Sequence, residues 1–342
     1  MSYWKDNREI PPRRLHTPND QFNQLKEILL NLPVSSEVEP RGISLTVGAL
    51  RTNITGDKEG KEENYDFARR AVTLIEKTLQ ENGPLDVLVS PEYFLYNHPR
   101  ISGGIEFYND DDHFMIINGQ SEIVIAINRI QELAKEYSTN IVLGTVCESV
   151  NLQKDSYFAN SLLVINSRGD IQHIRRKTEG SHAILIKNGD EYVWHSTEQI
   201  QDDYKPSDVA SVVLTSRNNE KFRVLPLICS ERSSDMFWKS VAGENADVIT
   251  GSIREGDDSL TERFRKMSNG YDLDNYHEIY HEWVLGLRLL IASKIHAVRQ
   301  TGIFVGSDGE GVGSSGIFPL HSLKQMTEFT ELEDVLVGTC VI

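Results

Sequence analysis

The stretch FRVLPLICSER, residues 222–232, decides the fold class because an apolar run ends abruptly in a cysteine followed by polar residues. A short run this apolar is typical of a central strand that is buried on both faces of a sheet. The thiol of Cys229 would then lie at the carboxyl edge of that sheet, where open α/β sheets place their ligands. Taken alone, this segment favours a buried core thiol over a nucleophile, since free cysteines are commonly buried.

Short apolar runs and amphipathic segments alternate on both sides of this stretch. Residues 43–50 and 85–90 predict strands, and apolar side chains recur at helical spacing over residues 68–79 between them. Residues 156–177 and 209–231 predict hairpins, because each is an alternating apolar pattern around a polar turn. Strands interleaved with helices and supplemented by hairpins predict one α/β layered domain.

The composition excludes several functional classes. The chain has 342 residues with 35 Lys and Arg against 51 Asp and Glu, a formal charge of −16. An acidic surface repels phosphate backbones, which predicts no nucleic-acid partner. The three cysteines are far apart and form no CxxC pair, which predicts free thiols in a reducing, cytoplasmic location. The longest apolar run, residues 283–292, is interrupted by Arg288 and is shorter than the roughly 20 residues that cross a bilayer, so no membrane span is expected.

Two further charged residues stand at the ends of predicted strands. Glu92 follows Pro91 after the strand at 85–90, and a partly desolvated carboxylate at such an edge can act as a general base. Lys177 ends the hairpin at 156–177, where an ammonium can stabilise a developing oxyanion. Taken singly, Glu92 is more typical of a solvated loop and Lys177 of a surface lysine.

The order Glu92, Lys177, Cys229, with an acid two residues after the cysteine, resembles the carbon-nitrogen hydrolase (nitrilase) superfamily and its Pro-Glu, Arg-Lys and Ile-Cys-x-Asp/Glu segments. The likeness extends over residues 43–342 and includes the glycine-serine segment at 313–319. It implies a single-domain, four-layer αββα sandwich of the nitrilase type.

We therefore expect the hydrolase domain to cover residues 41–342. The polar, proline-punctuated residues 1–40 are predicted to form an N-terminal extension.

The resemblance also implies the chemistry of the site. Cys229 is the expected nucleophile, Lys177 the oxyanion stabiliser together with the backbone N–H of Ser230, and Glu92 the general base. The implied reaction needs no metal or other cofactor and passes through a thioester. The expected substrate is a small molecule with an amide or carbamoyl group, in preference to a nitrile.

Many members of the superfamily carry a further glutamate between the lysine and the cysteine. Glu198 is the candidate here, with Glu191 as its rival. The chain also departs from the family pattern: residues 233–236 read SSDM instead of the usual Phe-Pro-Glu, and residues 296–299 read HAVR instead of Arg-Ala-x-Glu. The resemblance is therefore to an outlying member.

Residues 277–281 read HEIYH and match HExxH, which on a helix places two imidazoles on one face for zinc. A zinc-dependent hydrolase is therefore an alternative, although Val284 and Leu287 stand where a metzincin needs Gly and His. A catalytically silent binding protein of the same fold is a further alternative. The acidic run at residues 109–113 lacks a calcium-loop pattern and predicts a solvated loop.

An apolar helix face is predicted over residues 283–298. The resemblance favours a homo-oligomer joined through such helices. The long inserts at 95–120, 178–208 and 254–276 are expected to line the pocket, and their polar character suggests a hydrophilic substrate.

Overall fold

The computed structural model describes residues 41–50, 64–95, 104–110, 113–119, 121–152, 155–177, 184–188, 191–195, 210–229, 231, 244, 246–253, 303–308, 316–319, 327–328 and 335–342. The described helices are α1 (Asn64–Asn82) and α2 (Ser121–Glu136). The described strands are β1 (Ser44–Leu50), β2 (Val87–Val89), β3 (Glu106–Asp110), β4 (His113–Asn118), β5 (Asn140–Leu152), β6 (Asp155–Ile165), β7 (Ile171–Arg176), β8 (Ile184–Asn188), β9 (Glu191–His195), β10 (Val212–Thr215), β11 (Lys221–Ile228), β12 (Val248–Ile253), β13 (Ile303–Asp308), β14 (Gly316–Pro319), β15 (Thr327–Glu328) and β16 (Val335–Val341).

The strands form two large sheets and a separate β8–β9 hairpin. The larger sheet has eight strands in the order β16-β1-β2-β5-β6-β7-β4-β3, and the smaller has six in the order β10-β11-β12-β13-β14-β15. Parallel pairing joins β1 to β2 to β5 in the larger sheet and β11 to β12 to β13 in the smaller one. Strand β11 therefore has strands on both sides, as its apolar sequence predicts. The predicted hairpins are confirmed as β6–β7 and β10–β11.

The two sheets pack face to face through buried apolar side chains. Because successive residues of a strand point to opposite faces, the larger sheet presents one set to the smaller sheet and another to the helices. The inter-sheet core contains Val87 and Val164 from the larger sheet with Phe222, Val224 and Val248 from the smaller one.

The outer face of the larger sheet is covered by α1 and α2. Ile75 of α1 and Ile127 of α2 pack with Leu88 and Leu163 in a second buried cluster. The α/β class is thus confirmed, and three of the four predicted layers are described. The extension at residues 1–40, the helix predicted from Trp283 and the fourth layer lie outside the described residues. Neither described helix is long and apolar enough to span a membrane.

One expectation for an insert is wrong at its ends. A solvated loop is predicted for the acidic run at residues 109–113, whereas β3 continues to Asp110 and β4 begins at His113; residues 111–112 lie outside the described residues. The reason is alternation: Phe107, Phe114 and Ile116 are partly buried against the helix-side core, which favours strand pairing over an open loop. No group of three potential metal-ligating side chains occurs in the described part of the chain.

The amino end of β2 is fixed to both sheets by one buried carboxylate. Asp86 accepts hydrogen bonds from the backbone N–H groups of Thr46, at 2.6 Å, and Arg217, at 2.8 Å. The Arg217 guanidinium also lies 3.3 Å from Asp86. Since Arg217 belongs to the β10–β11 turn, Asp86 ties the larger sheet to the smaller one.

We expect Asp86→Ala to lower the free energy of unfolding by about 3 kcal/mol, because two backbone N–H groups and a guanidinium, all partly buried, would lose their acceptor. Urea denaturation followed by circular dichroism measures this change. Glu81→Ala is the control, because the Lys77–Glu81 pair is 61% exposed at both side chains and should contribute less than about 0.5 kcal/mol. Equal effects of the two substitutions would contradict the assignment.

Candidate active site

A close approach between the β2 and β5 backbones places Glu92. After β2 the chain runs through Ser90 and Pro91, and the Ser90 hydroxyl accepts a hydrogen bond from the N–H of Gly144 at 2.7 Å. A Cβ atom at Gly144 would overlap the carbonyl of Pro91, so glycine is required at this contact. Tyr93 has a φ of +52°, which turns the chain sharply just after Glu92. The carboxylate is therefore held on a tightly constrained turn.

Glu92 is buried and directly paired with Lys177. The Lys177 ammonium donates to Oε1 of Glu92 at 2.8 Å, and the two side chains are 2% and 3% exposed. The Asn160 amide donates to the same oxygen at 2.8 Å. Among the described residues, the hydrogen bonds to the Glu92 carboxylate both reach Oε1.

Asn160 positions both charged groups. Its side chain contacts Glu92, while its backbone carbonyl accepts the N–H of Lys177 at 2.8 Å. Arg176, the residue before Lys177, forms two hydrogen bonds of 2.7 and 2.8 Å to the buried carboxylate of Glu148 and so joins the end of β7 to β5. The readings of Glu92 as a solvated residue and of Lys177 as a surface residue are thus wrong, because the two charges compensate each other in a buried setting.

Cys229 lies directly after β11, at the carboxyl end of this parallel strand. Its φ is +42°, and its side chain is half-buried against the inter-sheet core. Glu231, two residues after Cys229, accepts two hydrogen bonds at Oε2. One comes from the backbone N–H of Ile228 at 2.8 Å, and the other from the Arg175 guanidinium at 2.7 Å. Both side chains of the Arg175–Glu231 pair are 0% exposed. This pair joins β7, just before Lys177, to the chain just after Cys229.

The described residues thus bring Glu92 and Lys177 into contact and link the Lys177 strand to the Cys229 turn. Ser230, Glu198 and the HExxH motif lie outside the described residues. Glu191 is described only as the first residue of β9.

Sequence reasoning missed Asn160 and Arg175. Arg175 could have been found from alternation, because it must share a face of β7 with Lys177. Asn160 carries no comparable signal, since its contact with Glu92 is between residues 68 apart in the sequence.

The other two cysteines are less suited to nucleophilic attack. Burial raises the pKa of the Cys147 thiol to about 12, with a smaller contribution from the neighbouring Glu148. Burial also raises the pKa of Cys340 in β16. A thiolate is the nucleophilic form, so a raised pKa makes a thiol inert near neutral pH.

His173 is a further titratable group on β7. Burial lowers its pKa to about 4, and the nearby Arg175 cation contributes in the same direction. The imidazole is therefore neutral near neutral pH. It shares a face of β7 with Arg175 and Lys177 and adds no charge to that face.

Known proteins were compared with this chain by sequence and by structure. No family model matches the sequence, and no curated protein sequence matches it at a significant level. A carbon-nitrogen hydrolase from Helicobacter pylori superposes with a TM-score of 0.55 and 12% identity, over 87% of this chain and 89% of its own. Nit3 of Saccharomyces cerevisiae, a member of branch 10 of the nitrilase superfamily, has a TM-score of 0.55 and 16% identity over 86% and 89%. The NitFhit protein of Caenorhabditis elegans has a TM-score of 0.52 and 12% identity over 87% and 61%. At these identities the comparison establishes the fold.

In the native protein we expect iodoacetamide to modify Cys229 before Cys147 and Cys340. At about pH 8 a thiol with a pKa near 12 is only about one part in ten thousand thiolate, whereas Cys229 lacks that degree of burial. Mass mapping of the alkylated peptides against time measures the order. In urea the three thiols should react at similar rates, and native modification of Cys147 first would refute the burial argument.

We expect His173 to make the protein sensitive to acid. The unfolded chain takes up the proton near the ordinary pKa of 6.5, while the native chain resists it until about 4. The free energy of unfolding is therefore unaffected by His173 above pH 6.5. It falls by about 3 kcal/mol as the pH is lowered to 4, because only the unfolded chain is protonated in that range. Urea unfolding at several pH values should show this loss in the native protein and a smaller loss in His173→Gln. The same pH dependence in both proteins would contradict it.

Proposed function

We propose that this chain, which has the fold of the nitrilase superfamily, is a hydrolase that cleaves a non-peptide carbon–nitrogen bond with Cys229 as nucleophile. The observation that carries the proposal is the buried contact between Glu92 and Lys177. Buried ion pairs are weak contributors to stability, because desolvation offsets their attraction. The Glu92–Lys177 pair lies just after β2 and β7, and β7 is also joined to the Cys229 turn through Arg175 and Glu231. A catalytic role explains this position better than stability does.

In the proposed first step Glu92 takes the thiol proton of Cys229 at Oε2, and the sulfur attacks the carbonyl carbon of the substrate. The C=O π electrons move to oxygen and give a tetrahedral oxyanion. The Lys177 ammonium and the backbone N–H of Ser230 are the proposed donors to that oxyanion. Because Lys177 is already oriented by Glu92, little reorganisation is needed when the charge develops.

The oxyanion then collapses, the carbon–nitrogen bond breaks, and Glu92 returns its proton to the leaving nitrogen. Ammonia or an amine departs and a thioester remains on Cys229. In the second half of the reaction Glu92 takes a proton from a water molecule, and the water oxygen attacks the thioester carbon. The carbon–sulfur bond then breaks, and Glu92 passes the proton to the sulfur of Cys229. The products are a carboxylic acid and the original enzyme. Because the reaction passes through a thioester, one difficult step is divided into two easier ones.

The proposed substrate is a small molecule with an amide or carbamoyl group, in preference to a nitrile. Glu198 is the proposed second carboxylate of the site. The reaction as written involves no metal ion or cofactor. Cytoplasmic location and assembly into a homo-oligomer stay predictions from the sequence.

We expect Cys229→Ala to lower kcat by more than about a thousandfold, since removal of a covalent nucleophile ends the route. Ammonia release from a panel of amides, ureides and nitriles measures turnover, and intact-mass spectrometry should detect an acyl adduct on the native protein that is absent from Cys229→Ala. Cys147→Ser is the matched control and should keep native turnover.

Turnover that survives in Cys229→Ala would overturn the proposal. Exhaustive treatment with EDTA should leave the rate unchanged. A rate lost to chelator and restored by zinc would favour a zinc enzyme built on residues 277–281 instead.

A further inference from the structure

We propose that the buried Arg175–Glu231 ion pair is the positioning device of this active site and fixes the Cys229 turn relative to Lys177. The inference rests on the proposed function, because it assigns a role to residues that support the proposed nucleophile. Neither residue is expected to touch the substrate. Each acts through the reactive group that lies close to it in the sequence.

The two ends of the pair lie on either side of the inter-sheet space. Arg175 is on β7 of the larger sheet, two residues before Lys177, and Glu231 follows β11 of the smaller sheet, two residues after Cys229. The Arg175 Nη1 to Glu231 Oε2 distance is 2.7 Å. A shift of one sheet against the other would therefore stretch this contact before it could separate Cys229 from Lys177.

The same carboxylate oxygen also shapes the turn that holds the thiol. Glu231 Oε2 accepts the N–H of Ile228 at 2.8 Å, so the carboxylate folds back across Cys229. Cys229 has a φ of +42°, in the left-handed region that non-glycine residues adopt only where the surroundings enforce it. The hydrogen bonds of Glu231 to the Ile228 N–H and to Arg175 hold the backbone of Cys229 in this conformation. Glu231 is thus bonded both to the cysteine turn and to the neighbouring sheet.

Stability alone does not explain this pair. Both side chains are fully buried, and replacing a buried ion pair by apolar groups is often neutral or stabilising. The position of the pair is informative as well, because it lies beside the two groups whose separation matters for thiol attack. Small displacements of reacting groups have large effects on rate.

The test uses the double variant Arg175→Met/Glu231→Gln. It removes both charges together, and the glutamine oxygen can still accept the Ile228 N–H, so no buried charge is left unpaired. We expect the alkylation rate of Cys229 to fall about tenfold and kcat to fall about a hundredfold, with KM changed less than about threefold. The alkylation rate of Cys340 in the same molecules reports whether the fold has loosened, and it should not change.

Arg175→Lys keeps the charge and should recover part of both rates. Arg175→Lys alone repeats the test if the double variant fails to fold, because it changes the geometry of the pair and leaves no charge unpaired; alkylation of Cys229 and turnover should then fall below the native rates. The matched control is Asp86→Asn/Arg217→Met, which neutralises a cross-sheet pair at the amino end of β2 and should leave Cys229 alkylation at the native rate.

Native rates of alkylation and turnover in folded Arg175→Met/Glu231→Gln would overturn the inference. That result leaves the proposed function intact as long as Cys229→Ala is inactive. Conversely, full turnover in Cys229→Ala would remove the proposed function. Alkylation of Cys229 would still decide whether the pair positions the thiol.

Discussion

The contact between the Glu92 carboxylate and the Lys177 ammonium is the constraint on which the rest of the site depends. Neither charge could be buried alone, because an unpaired charge in an apolar setting is far too costly. The pair therefore requires the turn after β2 and the end of β7 to meet, although the two residues are 85 positions apart. The absence of a side chain at Gly144 lets the turn after β2 lie against β5, and Asn160 aligns Glu92 with Lys177.

The two ends of the parallel strands serve different purposes. At the amino ends, Asp86 precedes β2 and Asp247 precedes β12. Asp86 accepts two backbone N–H groups and Asp247 accepts one, and each carboxylate also pairs with an arginine side chain. At the carboxyl ends of β2 and β11 lie Glu92 and Cys229. Because the amino ends hold the sheets together, the carboxyl ends can carry a buried charge pair and a strained turn. This division lets the site be preorganised without making the fold depend on it.

Much of this arrangement could be predicted from the sequence, since residues 224–228 of β11 are a continuous apolar run and the hairpins alternate clearly. The ends of these strands identify Glu92, Lys177 and Cys229 as candidates. Their burial could not be predicted, because it depends on partners distant in the sequence. The β3–β4 pairing was missed for a related reason. The acidic sequence at 109–113 resembles a loop, and the apolar residues of these strands pack against a core to which the helix beginning at Ser121 contributes.

The antiparallel pairing of β16 with β1 has a consequence for how the chain folds during synthesis. The Thr46 and Thr339 side chains of these neighbouring strands are in contact although 293 positions separate them. The outer edge of β1 therefore lacks its native partner until almost the whole described chain has left the ribosome. An exposed strand edge is a template for pairing with other chains. Nascent chains should accordingly be prone to aggregation until β16 has been synthesised, and substitutions in β16 should affect yield more than the behaviour of protein that has already folded.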